Sequence, residues 1–187
     1  MVILIGGVSH TGKTYLAQQL LEKYHIPYFS LDHLKMGLIK SGNTCGFSID
    51  DDDEIIGQQM WPLVEGVITT NIENKQHLII EGCYLPPKSV SELKDRYPKD
   101  IVECYLGFSD RYITQHFEDQ ILRHRDVIER RLHQENRSAR DFMAEHSRMR
   151  AACKQHKLHF FDVEQSYQVA LMSVLKSLEK RLSGIFG

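Results

Sequence analysis

The feature that most constrains the fold of this chain is the segment GVSHTGKT, residues 7–14. It matches the pattern G-x-x-x-x-G-K-[ST], and it lies between the apolar run VILI and a segment with helical apolar periodicity. In such a loop the glycines allow successive backbone N–H groups to point at phosphate oxygens, and the helix that follows adds its positive end. With both flanks in place, we interpret residues 7–14 as a phosphate loop rather than as a glycine-rich turn before an exposed lysine.

The positions of the phosphate loop have separate expected roles. Lys13 is expected to reach the β and γ phosphates of ATP as a catalytic cation, and Thr14 is expected to bind Mg²⁺. The side chain of His10 is expected to face solvent at the mouth of the loop, with no catalytic role. The expected nucleotide-binding residues are Gly7, Val8, Ser9, His10, Thr11, Gly12, Lys13, Thr14 and Tyr15.

Short apolar runs alternate with helical patterns along the chain, which is typical of a parallel sheet covered by helices on both faces. The predicted strands are residues 2–5, 26–30, 78–80, 101–108 and 158–163. The predicted helices include residues 13–24, 32–39 and 48–74, together with an apolar stripe over 171–182. The helix over 48–74 is expected to begin with a capping box formed by Ser48 and Asp51 and to kink at Pro62. An α/β fold is therefore predicted.

Composition limits the classes of protein to which the chain can belong. Its 187 residues contain no repeat or linker, so a single domain over 1–187 is expected. Four widely spaced cysteines without a C-x-x-C pair favour a reducing, cytoplasmic setting over a disulfide framework or a zinc site. The net charge of −2 argues against a nucleic-acid partner, and no apolar run is long enough for a signal peptide or a membrane span. The oligomeric state is left open.

Two carboxylates follow predicted strands. Glu81 ends the apolar run LIIE and can join a Mg²⁺ shell if its strand lies beside the first strand, although it can also be a polar residue that marks the strand end. Asp32 follows the second strand and can orient or deprotonate a hydroxyl acceptor, as a catalytic residue. The alternative is helix capping by Ser30 or Asp32. His33 and Lys35 can line the same pocket, but they are interpreted as solvated helix residues.

Arginine is concentrated in one part of the chain, since nine of the eleven arginines lie between residues 111 and 150. Guanidinium groups on a closing lid can neutralise the charge on a transferred phosphoryl group and exclude water. The alternative is a solvated pair of helices with local ion pairs. We predict a lid segment, residues 120–140, in which one or two arginines contact phosphate. The catalytic candidates are Arg123, Arg125, Arg130, Arg131 and Arg137.

Together these motifs resemble the P-loop small-molecule kinases, which include nucleoside, nucleotide and shikimate kinases and the zeta-toxin group. The chain is also similar to short bacterial proteins described as 2-phosphoglycerate or adenylate kinases. The resemblance implies a P-loop NTPase fold with a five-stranded parallel sheet in the order 2-3-1-4-5, helices on both faces and a helical lid. It also implies that the enzyme uses ATP and Mg²⁺ to phosphorylate a small-molecule hydroxyl or phosphate acceptor, and it puts Glu81 beside the phosphate loop.

The chain departs from several related patterns. No D-R-[YH] signature follows the third strand and no clear arginine motif for a nucleoside monophosphate lies in the second helix region, so the acceptor is left open. A GTPase needs N-K-x-D, whereas residues 74–77 read NKQH, and a motor ATPase favours Asp-Glu where this chain has Glu81 and Gly82. A non-catalytic ATP-binding sensor that acts through a protein partner is the alternative to a kinase.

Overall fold

A computed structural model describes residues 1–42, 45–123 and 137–182 of the chain. Its centre is a sheet of five strands, β1 (Val2–Gly7), β2 (Tyr28–Ser30), β3 (Leu78–Glu81), β4 (Ile101–Phe108) and β5 (Phe160–Val163). The strands lie in the order β2-β3-β1-β4-β5, and every pairing is parallel. The predicted order 2-3-1-4-5 is therefore confirmed.

Helices connect the strands and cover the sheet. The α-helices are α1 (Lys13–Tyr24), α2 (Leu31–Lys40), α3 (Asp53–Glu73), α4 (Pro87–Arg96), α5 (Asp110–His116), α6 (Ala139–Gln155) and α7 (Tyr167–Leu182). A short π-helix, Phe117–Leu122, continues α5. Across the three described stretches of chain, none of the helices is both long and apolar enough to cross a membrane.

Alternate residues of β1 face two different apolar layers, as expected for a central parallel strand. Val2 and Leu4 belong to a cluster that includes the buried side of α3, whereas Ile3 and Ile5 belong to a cluster with α1 and α7. All four side chains are completely buried. The sheet is thus covered on both faces, which is why the run VILI shows no alternation of polar and apolar residues.

The predicted start of the third helix is wrong. Ser48 and Asp51 do interact, because the backbone N–H of Ser48 donates to Asp51 Oδ2 at 2.8 Å. This contact closes a turn that precedes the helix, and α3 begins at Asp53. The helix then continues through Pro62. Because a Ser-x-x-Asp pair forms the same local contacts in a turn as at a helix start, spacing alone does not separate the two.

A buried ion cluster lies toward the amino end of β4, away from the phosphate loop. Glu103 has no exposed surface, and its carboxylate accepts hydrogen bonds from Lys94 Nζ at 2.7 Å, Arg181 Nη1 at 2.8 Å and His159 at 2.9 Å. Burial acts to raise the pKa of Glu103, but the hydrogen bonds from Lys94 and His159 outweigh it and hold that pKa below its usual value. The cluster fastens α4 and α7 to the sheet.

Candidate active site

The phosphate loop connects β1 to α1 at the carboxyl end of the central strand, and two of its glycines are required by geometry. Gly7 has φ +125°, and a Cβ there would lie 2.2 Å from the carbonyl oxygen of Leu106 on the neighbouring β4. Gly12 has φ +77°, and a Cβ there would lie 1.7 Å from Tyr167 Oη. Side chains at either position would collide, so the loop conformation depends on both glycines.

The polar side chains of the phosphate loop turn inward. Lys13 Nζ donates to the carbonyl oxygen of Val8 at 2.7 Å, and Thr11 Oγ1 donates to the same oxygen at 2.8 Å. The Lys13 side chain lies in the interior, since the residue is only 6% exposed. The ammonium group is therefore held within the curve of the loop, where an anion bound by the backbone amides would meet it.

The candidate arginines differ in their positions. Arg123 is exposed at the end of the π-helix. Arg125, Arg130 and Arg131 lie outside the described residues. Arg137, just before α6, reaches the phosphate loop. Its Nη2 donates to Ser9 Oγ at 2.7 Å and its Nη1 donates to Glu145 Oε2 at 2.8 Å.

Aromatic packing supports the approach of Arg137 to the phosphate loop. The guanidinium of Arg137 lies over the ring of Phe142, 4.7 Å from its centroid. The half-buried ring of His10 also stacks on Phe142, with ring centroids 5.7 Å apart. The expectation that His10 projects into solvent is wrong, because this aromatic neighbour comes from α6 and is distant in the sequence.

A second side chain of α6, His146, is fully buried next to β4. Its Nδ1 accepts a hydrogen bond from the backbone N–H of Phe108 at 2.9 Å, and its ring packs between Phe108 and Phe142. Burial, together with nearby cations of which Lys13 is the first, lowers the pKa of His146 to about 3. The imidazole is therefore neutral at neutral pH and fixes α6 to the end of β4.

Asp32 lies in the first turn of α2, directly after β2, as the sequence predicts. Its Oδ1 accepts a hydrogen bond from Tyr84 Oη at 3.2 Å, and the ammonium of Lys35 lies 5.0 Å from the centroid of the Tyr84 ring. Ser30, at the N-cap of α2, makes no capping hydrogen bond with its side chain. The alternative that Ser30 caps this helix is wrong. Lys35 also has a specific neighbour, so it is not simply a solvated residue.

Asp53 is a site residue that the sequence did not single out. It is the first residue of α3, and its half-buried carboxylate lines the cavity next to the phosphate loop. Burial raises the pKa of Asp53 above its usual value, while the charges of Lys13, Lys35 and Arg137 act in the opposite direction. The negative charge of the Asp32 carboxylate also raises the pKa of Asp53. In the run DDDE, no local pattern distinguishes this residue from its neighbours.

A cavity of about 700 Å³ opens beside the phosphate loop. Its lining includes Gly7 and Val8 of the phosphate loop, Asp53, Tyr84 and Arg137. The cavity is large enough for a small organic molecule. Its further polar lining comes from Asp51, Asp52, Glu54, Gln58, Cys83, Lys88, Ser89, Glu145, Arg148 and His156. Burial raises the pKa of Cys83 to about 12, so this thiol remains protonated at neutral pH.

Glu81 ends β3 directly beside β1, as the predicted strand order requires. It is 1% exposed and pairs in register with Ile5 on one side and Ser30 on the other. In-register neighbours in a parallel sheet point to the same face, and Ile5 packs on the α1 side. The Glu81 carboxylate therefore lies on the face of the sheet that α1 covers, and Thr14 lies in the first turn of that helix.

This carboxylate and hydroxyl suit Mg²⁺, which prefers oxygen ligands and typically takes one or two protein carboxylates together with substrate phosphates. Among residues 1–42, 45–123 and 137–182, no group of three or more His, Cys, Asp or Glu side chains could hold a metal by itself. Thr14 and Glu81 would thus supply only part of a coordination shell, and bound phosphate would supply more of it.

No protein-family model matches the chain, and no curated protein matches it in sequence. Solved structures do match it. A gluconokinase from Sinorhizobium meliloti 1021 is 15% identical, with a TM-score of 0.62 and coverage of 99% of this chain and 95% of that chain. A shikimate kinase from Acinetobacter baumannii, in complex with shikimate, is 16% identical, with a TM-score of 0.58 and coverage of 100% and 95%.

A third solved structure, YorR protein from Bacillus subtilis in complex with phosphorylated GDP, is 13% identical, with a TM-score of 0.54 and coverage of 100% of this chain and 99% of that chain. At these identities the likeness concerns the fold alone. It extends over nearly the full length of each protein and agrees with the sheet order observed here. The chain has the fold of the P-loop small-molecule kinases.

Proposed function

We propose that this chain is a Mg²⁺-dependent phosphotransferase that moves the γ-phosphoryl group of ATP to a hydroxyl or phosphate group of a small molecule. The observation that carries the proposal is the cavity next to the phosphate loop, which Val8, Asp53 and Tyr84 line. Lys13 is bound to the carbonyl of Val8 and Asp32 is bound to Tyr84, so both lie directly behind this lining. Arg137 reaches into the same region from the end of the lid segment. A nucleotide phosphate, an acceptor and a cation can meet there.

The phosphate end is assigned to the phosphate loop. Backbone N–H groups of residues 7–14 bind the phosphates, assisted by the amino end of α1. Lys13, which is bound to the carbonyl of Val8, turns to the β and γ phosphates when ATP is present. Arg137 exchanges the Ser9 hydroxyl for a phosphoryl oxygen and stabilises the charge that develops during transfer. The adjoining Tyr15 completes the nucleotide-binding set.

Thr14 and Glu81 are proposed to hold Mg²⁺. Their support is the position of a buried carboxylate on the same face of the sheet as the first turn of α1. Bound Mg²⁺ would neutralise charge on the β and γ phosphates. The phosphate loop and Asp32 position the ATP phosphates and the acceptor.

The acceptor end is assigned to Asp32. The oxygen of the acceptor hydroxyl attacks the γ phosphorus, the bond from that phosphorus to the β–γ bridging oxygen breaks, and ADP leaves. Asp32 receives the proton of the attacking hydroxyl. Tyr84 holds the carboxylate through Oδ1, which leaves Oδ2 for the acceptor.

The solved structures support this class of reaction. The gluconokinase is named for phosphorylating gluconate, and the shikimate kinase was solved with shikimate bound. Both compounds are small and carry several hydroxyl groups. A cavity of about 700 Å³ accommodates a molecule of this size.

The test is a transfer assay with γ-labelled ATP and Mg²⁺ against nucleosides, nucleotides, sugar acids and phosphosugars. We expect transfer to at least one acceptor, and a loss of roughly 10²-fold or more in Lys13→Ala without loss of the fold. Lys40→Ala, which changes an exposed lysine on α2, is the matched control and should keep full activity. A folded Lys13→Ala protein with full activity would overturn the role of the phosphate loop. ATP-dependent binding of a protein partner, without transfer to any acceptor, would replace the kinase with the sensor.

A further inference from the structure

Asp53 occupies a position in the cavity that the proposed reaction does not use. It lies at the first residue of α3 and lines the cavity together with Gly7, Val8 and Arg137. Asp32, the proposed base, is close enough that its charge acts on Asp53. Two carboxylates therefore approach the region where the acceptor hydroxyl must meet the phosphate.

The two carboxylates differ in their hydrogen bonds. Asp32 accepts a hydrogen bond from Tyr84. No hydrogen bond joins the Asp53 carboxylate to any other residue in the described part of the chain. Its neighbouring cations, Lys13, Lys35 and Arg137, act on it through space and favour its ionised form. A half-buried carboxylate without a donor gains when a ligand supplies one, because hydrogen bonds to charged groups are the stronger ones.

We infer that Asp53 determines acceptor specificity by accepting a hydrogen bond from a second donor group of the acceptor. This group lies next to the attacking hydroxyl, whose proton Asp32 receives. The acceptor is then a diol or an amino alcohol rather than a lone alcohol. This inference rests on the proposed function. It adds to that function the chemical class of the acceptor and one residue that selects it.

Charge argues for a donor at this position rather than an anionic group. A carboxylate or phosphate of the acceptor placed against Asp53 would meet a like charge in a partly desolvated setting, where repulsion is stronger than in water. Two other cations that line the cavity, Lys88 and Arg148, are exposed and lie on α4 and α6. The cations that act on Asp53 each have another partner, since Lys13 is bound to Val8, Lys35 lies against the Tyr84 ring and Arg137 is bound by Glu145.

The test compares acceptors that differ by one hydroxyl. Three matched pairs are 2′-deoxyadenosine and 2′,3′-dideoxyadenosine, shikimate and 4-deoxyshikimate, and gluconate and 5-deoxygluconate. For any pair of which the wild-type protein phosphorylates one member, we expect kcat/KM to be roughly 10- to 100-fold higher for the member with the additional hydroxyl. This ratio measures the hydrogen bond that the second donor makes.

Asp53→Ala identifies the residue that accepts this hydrogen bond. In this variant the preference for the additional hydroxyl should fall to a few-fold or less, while the KM for ATP changes little. Asp50→Ala, which removes an exposed carboxylate from the turn before α3, is the matched control and should keep the wild-type preference. A purely structural role for Asp53 predicts a different result, in which both members of a pair lose activity equally and the preference survives. That result would overturn the inference.

The remaining outcomes separate the inference from the proposed function. If the wild-type protein phosphorylates both members of a pair equally well, the kinase stands and the second-donor inference is overturned. If it phosphorylates no member of any pair and no compound in the wider screen, the proposed function fails and the inference fails with it. If Asp53→Ala does not fold, Asp53→Asn provides the same comparison, and we expect a reduced preference because a neutral amide is a weaker acceptor than a carboxylate.

Discussion

Arg137 Nη2 lies 2.7 Å from Ser9 Oγ, so a guanidinium just before α6 is bound to the phosphate loop itself. Glu145 and Phe142, both on α6, hold the same guanidinium from the other side. These contacts with α6 therefore hold the Arg137 side chain against the loop. A phosphoryl oxygen at the loop would be a stronger acceptor than the Ser9 hydroxyl, because it is charged.

Arg137→Lys tests this arrangement. The change keeps a positive charge but removes the planar fork that contacts Ser9 and Glu145 at once. We expect kcat to fall by roughly 10²–10³-fold, in the range observed when one donor to a developing charge is removed. Steady-state kinetics with the best acceptor measure the effect. Arg140→Lys, at an exposed position three residues later, should change kcat little, and an unchanged kcat in Arg137→Lys would contradict the assignment.

Asp32→Asn separates a catalytic role from a structural one. The amide keeps the size of the side chain and can still accept from Tyr84, but it cannot take a proton at neutral pH. General-base assistance is worth about 10²–10⁴-fold, so we expect transfer to fall by roughly a hundredfold or more while ATP affinity stays within a few-fold. Isothermal titration with ATP and initial rates of transfer measure the two quantities. Lower stability with unchanged turnover per folded molecule would make Asp32 a structural residue of α2.

Local patterns were sufficient to predict the buried strand, the glycine-rich loop and the helix around Lys13, because these signals all lie within a few residues of each other. Strand order came from the resemblance and was confirmed by the pairing of β1 with β3 and β4. Helix α4 was not predicted. It begins at the second of two consecutive prolines, Pro87, and buries only Val90 and Leu93, so its apolar signal is weak.

The contacts that complete the candidate site are long-range and have no local signature. Arg137 was one of five candidate arginines, and of the two that the structure describes, Arg123 and Arg137, it is the one that contacts the loop. Asp53 lies in the acidic run DDDE, where the sequence does not distinguish it, and its place in the cavity follows from the packing of α3 against the sheet. Sequence patterns show periodicity along one helix or strand. The positions of Arg137 and Asp53 in the site depend instead on how separate elements pack together.

Glu103→Gln is expected to destabilise the protein. The carboxylate is fully buried, and its replacement by a neutral amide leaves Lys94 and Arg181 without their counter-charge. Breaking a buried ion pair from one side typically costs about 3–5 kcal/mol, and the partial exposure of Lys94 places this case near the lower end. Urea denaturation at pH 7 measures the free energy of unfolding. Glu179→Gln, at an exposed ion pair with Lys23, is the control and should change the free energy of unfolding far less than Glu103→Gln does.

Glu103→Gln should also change how the stability of the protein depends on pH in acid. The pKa of Glu103 in the folded protein lies below its usual value, so its stabilising contribution is present above the pKa of the unfolded chain. That contribution is lost as pH falls through the lower pKa of the folded state. Glu103→Gln should therefore show a weaker dependence of unfolding free energy on pH below about 4 than the wild-type protein. Equal slopes for the two proteins would contradict the assignment.

His146 provides a separate acid response at higher pH. Its pKa in the folded protein is about 3, because burial and nearby cations disfavour the charged ring. An unfolded chain binds the proton near pH 6.5, so between these values the unfolded state holds more protons than the folded state. Stability must then rise with pH across this interval. The slope from this single group is about 1.4 kcal/mol per pH unit.

His146→Asn tests the assignment because Asn Oδ1 can take the place of Nδ1 and accept from the backbone N–H of Phe108 without titrating. We expect the variant to lose stability at pH 7 through poorer packing against Phe142, but to lose less than the wild-type protein as pH falls from 6 to 4. Urea denaturation at pH 7, 6, 5 and 4 measures the difference. His25→Asn, an exposed site with a left-handed backbone that Asn tolerates, should keep the wild-type slope. If His146→Asn and the wild-type protein had parallel pH profiles, the buried imidazole would not be the group that titrates.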